Sequence, residues 1–179
     1  CVGHLAAVKA QTVLVEAFSR IAKDHPDFVL KLAGHEGWDG ELERIREVIQ
    51  REHLENQVSL LGERTDTDTL MREASIYVQP SLNEALGLAL QEAMYYGCAC
   101  IGSRTGGIPE LIQHEQNGML FETGNVEQLA RALEQLIANP ARREELGRAA
   151  AASISERGMT IESMTRRYVK LYETAINKA

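Results

Sequence analysis

The chain has 179 residues, 44% hydrophobic and 25% charged, which suffices for one domain of ordinary size with a real core. Its formal net charge of -7 excludes a surface given over to nucleic acid, so any anion it binds needs a local positive site built from clustered basic residues or helix starts. No apolar run approaches the roughly 20 residues of a membrane span.

The first residues, "CVGHL", read as the end of a strand, in a fragment cut at a domain boundary and without a signal peptide. A helix is predicted from Thr12 to Lys23, with Val13, Leu14, Ala17, Phe18 and Ile21 on one face. "DFVLKLAG" is a strand ending in glycine. Glu41 to His53 carries a second helical stripe of Leu42, Ile45, Val48 and Ile49, and "QVSLLG" is the next strand. A short helix spans Thr65 to Ala74, "SIYVQP" is a strand stopped by Pro80, and a helix follows from Gly87 to Tyr96. Its core stripe is Leu86, Leu90, Ala93, Met94 and Gly97. "CACIGS" is a buried strand whose Cys98 and Cys100 point to one face as inert thiols, and a short helix lies near Pro109 to Gln113. The last third is helical, in three segments punctuated by Asn125, Asn139-Pro140 and Thr160. The expectation is α/β: one Rossmann-like open parallel sheet with helices on both faces, one core, and a helical C-terminal third. In such sheets ligands bind beyond the carboxyl ends of the strands, which here carry loops 34–40, 62–66, 80–86 and 103–107.

"PSLNEALGLALQEAMYYG" (Pro80 to Gly97) holds the chemistry that stands out. Gly87 at a helix start suits a phosphate, because glycine admits close approach and the free amides face an anion. Glu84 stands just before it and Glu92 just after, on a different face from the core stripe. The plain alternative makes Glu84 a loop acid and Glu92 a solvated surface residue.

The longer stretch "PSLNEALGLALQEAMYYGCACIGSRTGGIPELI" resembles, without gaps, the donor-binding signature of the retaining family 4 glycosyltransferases, group 1 enzymes of the GT-B fold. "NGMLFETGNVEQLARAL" and "VGHLAAVKAQTVLVEAFSRI" are similar to two further segments of that family, so the resemblance covers nearly all of residues 1–179. It implies the nucleotide-sugar-binding half of such an enzyme, with the N-terminal acceptor domain absent and required in cis. It implies that Glu84 and Lys9 are catalytic: Glu84 meets hydroxyls of the donor sugar and Lys9 neutralises the diphosphate leaving group. Gly87 and Leu88, beside Leu86, hold the diphosphate through their amides, and Glu92 accepts from the ribose diol, as an acceptor-only carboxylate can. His4 is assigned to the diphosphate. Gly106 and Gly107 belong to the sugar-phosphate pocket or to a structural turn. The implied partner is a nucleotide-diphosphate sugar, with no metal, no other cofactor, no nucleic acid and no membrane contact by this domain. The setting implied is polysaccharide biosynthesis in the cytoplasm, or at the inner face of a membrane for a full-length protein.

This sequence departs from the pattern at four positions. His4 stands where the family has arginine, and a mostly neutral imidazole makes a weaker or pH-dependent phosphate clamp. Ala10, Ala85 and Leu86 replace Gly, Gly and Phe. "TDTDT" contains a D-x-D, but Asp66-Thr67-Asp68 reads as capping for the helix that follows rather than as a metal site. A glycosidase using Glu84 and Glu92 as acid and nucleophile fits poorly, since a phosphate seat separates them. A non-catalytic nucleotide-sugar-binding or scaffold domain of the same fold is the other alternative. The resemblance also has the last helix crossing back onto the acceptor domain, which would leave Tyr168, Leu171 and Tyr172 partly exposed.

Overall fold

The computed structural model describes residues 1–176. Five short strands alternate with helices: β1 (Leu30–Leu32), β2 (Val58–Leu60), β3 (Ile76–Gln79), β4 (Ala99–Ser103) and β5 (Met119–Phe121). The helices are α1 (Gln11–Ala22), α2 (Glu41–Arg51), α3 (Thr67–Glu73), α4 (Leu88–Tyr95), α5 (Ile108–Leu111), α6 (Val126–Ala138), α7 (Pro140–Glu156) and α8 (Ile161–Ile176), with a 3-10 turn at Ala7–Lys9. All strand pairs are parallel, as the alternation requires.

The expected class is present, a parallel α/β architecture with helices on both faces, but its division into two strand sets was not foreseen. β1 pairs with β2, in register Leu30 with Val58, and β3-β4-β5 form a separate set. The residues between the two sets, Cys1 and Val2, contribute only an isolated bridge, Val2 to Ala33. The strand β5 was not foreseen either: "MLF" is three residues, all buried, without the alternation that marks a half-exposed strand.

Helices cover both faces, and the apolar core is therefore two layers rather than one. One layer joins α1, α2 and α6 to Ala99 and Ile101 of β4. The other joins Met71, α4, α5 and Ala150 and Ile154 of α7 to Cys98 and Cys100. β4 is buried at all five positions, which is why "ACIGS" carries no polar side chain larger than serine. In α1, Leu14, Ala17, Phe18 and Ile21 are buried as predicted, while Val13 is only partly covered. In α4 the stripe reduces to Leu90, Ala93 and Met94, because Leu86 precedes the helix and is 66% exposed and Gly97 follows it.

Asn125 and Asn139 cap α6 and α7 through their side chains, each accepting from the amide three residues on, at 3.0 Å. Asp66 does not cap α3 in that way: both its oxygens take the Arg64 guanidinium, at 2.8 and 2.6 Å. Cys98 and Cys100 are buried, and burial pushes the Cys98 thiol up to about 11 and Cys100 well above its ordinary range. The expected exposure of Tyr168, Leu171 and Tyr172 on α8 is present.

Candidate functional site

Four loops at the carboxyl ends of the strands and the 3–9 segment are tied together mainly by backbone hydrogen bonds. Leu5 N–H donates to His35 O at 2.9 Å and Gly37 N–H to Leu5 O at 2.8 Å, joining the 3–9 segment to loop 34–40. Gly34 N–H donates to Gly62 O at 2.8 Å, Leu82 N–H to Val8 O at 2.8 Å and Gly107 N–H to Glu84 O at 3.0 Å. The Asp39 carboxylate accepts from Ala7 N–H at 2.8 Å and fixes the start of the 3-10 turn that carries Lys9.

Three glycine contacts make this closeness possible. A Cβ on Gly106, at φ 49°, would stand 1.7 Å from Glu84 O, and one on Gly107 would stand 2.3 Å from Ala85 O. So "TGG" lets loop 103–107 pass directly beneath the Glu84 backbone. Gly34 does the same for the Gly3 carbonyl, at 1.8 Å. The neighbour that Gly34 admits is thus the chain's own backbone.

The centre of the rim is an ion pair. Lys9 Nζ lies 2.7 Å from Glu84 Oε2, with the glutamate side chain only 10% exposed. The same oxygen accepts from Gln79 Nε2 at 3.0 Å and from Ser81 Oγ at 3.1 Å. Gln79 is in turn held by Tyr77, whose hydroxyl donates toward Gln79 Oε1 at 2.9 Å and lies 3.1 Å from Val2 O. Burial alone would raise the Glu84 carboxyl; the hydrogen bond and charge of Lys9, with help from Ser81 and the Gly87 amide, outweigh it and hold the group below its ordinary value. All three side-chain donors meet Oε2, so Glu84 is an ionised acceptor of fixed orientation.

Gly87, at φ 60°, is the N-cap of α4, and Gln91 N–H donating to Gly87 O at 2.9 Å starts the helix. The first-turn amides of Leu88 and Ala89 have no carbonyl within the helix to bond, and α4 has no acidic residue in its first turn. Leu86 and Leu88 are exposed beside this end. Glu92 is exposed on α4 and makes no side-chain hydrogen bond among the described residues.

The structure therefore brings Lys9, Glu84, Gly87, Gly106 and Gly107 together. His4 lies on the same rim but away from the pair: its ring meets the His35 ring edge-on, with centroids 3.8 Å apart, beside a pocket of about 210 Å³ lined also by Gly34 and Arg64. Gln79 and Ser81, the buried supports of Glu84, were not singled out from the sequence. The signal for Gln79 was available: it is the one strongly polar residue in "IYVQ", a strand otherwise fit for a core.

Residues 1–153 match the model of the family described as glycosyl transferases group 1. The N-acetyl-alpha-D-glucosaminyl L-malate synthase of Bacillus anthracis is 32% identical over 174 residues, 97% of this chain and 43% of that protein. A D-inositol 3-phosphate glycosyltransferase of Pseudarthrobacter chlorophenolicus is 30% identical over 159 residues, 87% of this chain and 38% of its own. Among solved structures, Anabaena HepE in complex with UDP-glucose superposes with a TM-score of 0.86 at 26% identity, over 97% of this chain and 48% of HepE. The chain spans less than half the length of each.

Proposed function

We propose a function from one premise: the chain belongs to the glycosyl transferases group 1 family. On that premise this domain binds a nucleotide-diphosphate sugar and, with an acceptor domain in the same polypeptide, transfers the hexose with retention of configuration. The observation that carries the reading is the Lys9–Glu84 pair at 2.7 Å, held by buried Gln79 and Ser81 beside the N-terminus of α4.

The geometry suits the parts. The diphosphate meets the α4 amides, and Lys9 turns from Glu84 toward the oxygen on which charge grows as the glycosidic bond breaks. Glu84, ionised and fixed by Oε2, keeps Oε1 for a sugar hydroxyl. Glu92, exposed and unpaired among the described residues, is open to the two protons of a ribose diol. Lys9 and the helix start supply positive potential, so no metal is invoked. UDP-glucose, which HepE binds, is the first donor to try. The two named relatives are an N-acetyl-alpha-D-glucosaminyl L-malate synthase and a D-inositol 3-phosphate glycosyltransferase, so a polysaccharide acceptor is not assumed.

The alternative, a binding domain without turnover, draws on His4, which faces His35 and makes no hydrogen bond to Lys9 or Glu84. Calorimetric titration tests the premise of both. UDP, GDP or ADP should bind at millimolar concentration or tighter. Glu92→Ala should weaken the preferred nucleoside diphosphate about tenfold or more, as loss of charge-assisted bonds implies, and leave inorganic diphosphate nearly unchanged. Silence with all three nucleotides, or equal loss for nucleotide and diphosphate, overturns the assignment.

A further inference from the structure

On the donor-binding reading above, from which this step proceeds, one lysine serves two anions in turn. Lys9 pairs with Glu84 at 2.7 Å, and a bound diphosphate draws it away. Glu84 is then a nearly buried carboxylate without its cation, and burial favours the protonated form. A protonated Glu84 would no longer be acceptor-only, and its grip on the sugar hydroxyls would weaken as the glycosidic bond breaks. Something other than Lys9 has to hold the charge.

The groups behind Glu84 form a chain that runs in one direction. Tyr77, Gln79 and Ser81 are all buried. Burial pushes the Tyr77 phenol up, so it keeps its proton and serves as a donor; the charges of Glu84 and of Glu92 on α4 act the same way. The Tyr77 hydroxyl lies 2.9 Å from Gln79 Oε1 and sets that end of the amide toward itself. Nε2 therefore faces Glu84, and the reverse orientation would press Oε1 against the carboxylate. Its two protons go to Ser81 Oγ at 2.9 Å and to Glu84 Oε2 at 3.0 Å. Ser81 Oγ, having accepted from Gln79, gives its own proton to the same Oε2 at 3.1 Å. The serine is fixed at its main chain too, where Ser103 Oγ donates to Ser81 O at 2.6 Å. Of the three side-chain donors on Oε2, only Lys9 is charged. The other surrounding elements add the Gly87 amide at the start of α4 and, from loop 103–107, main chain alone, since Arg104 is paired with Glu122 at 3.1 Å.

We propose that Tyr77 and Gln79 are positioning residues: with Ser81 they hold Glu84 Oε2 as a carboxylate of fixed orientation while Lys9 is away on the diphosphate, leaving Oε1 to accept from the sugar throughout the transfer. Lys9 can move because its departure removes one donor of three. Hydrogen bonds that polarise one another in series suit this task, since each strengthens the next at the charged end.

Lys9→Met reproduces the departure permanently and needs no ligand. The Glu84 carboxyl is followed against pH by carbon-13 NMR of its Cδ, assigned by its loss in Glu84→Gln. Lys9→Met should leave Glu84 ionised at pH 7. Adding Gln79→Met, which keeps the volume and removes both donated protons, should raise the midpoint by about one pH unit or more, as loss of a hydrogen bond to a charged group implies. Lys9→Met/Tyr77→Phe retains Gln79 but frees its amide to turn, and should raise the midpoint as well; it decides the matter where the Gln79 variant fails to fold. Exposed glutamates should titrate alike in all the proteins. Equal midpoints in Lys9→Met and the double variants, or a Glu84 already protonated at pH 7 in Lys9→Met, overturn the proposal. So does a shift that the exposed glutamates share, which reports general loosening. With no nucleotide present, this titration and the nucleotide titrations above can fail separately.

Discussion

Replacing Lys9 by methionine keeps much of the side chain's length and removes its charge. The pair it breaks is neither open nor sealed: the lysine side chain is 27% exposed and the glutamate 10%. Exposed ion pairs are worth about 0.2–1 kcal/mol, and breaking a buried one costs about 3–5 kcal/mol. This pair lies between, with Gln79 and Ser81 still holding the stranded carboxylate, so we expect a loss of about 2 kcal/mol at pH 7. In a chain of this size that lowers Tm by roughly 4–8 °C. The pH dependence has a definite sign. In the native protein Glu84 sits below its ordinary value, so its contribution is present above the unfolded value of about 4.3 and fades as pH falls through the depressed one. Without Lys9, burial dominates and raises the carboxyl, so the variant regains stability as the pH falls and Glu84 protonates. Urea unfolding of both proteins from pH 7 to pH 3.5 should show the deficit shrinking below about pH 5. A deficit that is the same at both ends would mean that lysine acts through its methylene stem, and the electrostatic reasoning would be refuted.

Gly106→Ala should lower stability by about 3 kcal/mol or more, since the new Cβ meets Glu84 O, whereas Gly62→Ala, with nothing within 4 Å of its Cβ, should cost only about 1 kcal/mol for its positive φ; equal losses in thermal unfolding would contradict the close approach. Gln79→Leu removes a donor from Glu84 and an acceptor from Tyr77 and should cost about 2 kcal/mol at neutral pH, less in acid, and an unchanged Tm would mean that the network does not support the fold.

Much of this molecule follows from local pattern. The stripes of α1 and α2, the caps at Asn125 and Asn139, and the glycine opening α4 are all readable because each is decided within a few residues. Lys9 and Glu84 were named from the motif, but their contact was not, since 75 positions separate them and only the meeting of two loops joins them. The split between β1-β2 and β3-β4-β5 was invisible for a related reason: a strand's neighbours are chosen by the whole sheet rather than within its own few residues. Leu86 was misassigned to the helix stripe because Gly87 starts α4 one residue later than the apolar spacing suggests. Asp66 was read as a cap from its place just before the helix, and the arginine two residues before it proved the stronger partner.

The rim around Glu84 is joined chiefly main chain to main chain, through Leu5 and His35, Gly34 and Gly62, Val8 and Leu82, Glu84 and Gly107. Bonds of that kind are indifferent to which side chains the same residues carry. Val8, Leu82, Leu86 and Leu88 all project outward from this frame. Descendants of such a domain can therefore exchange the outward residues, and with them whatever is held against the rim, while the frame keeps its shape. Variation should be freest at those four positions and most restricted at Gly34, Gly106 and Gly107, where any side chain would collide with a neighbouring carbonyl.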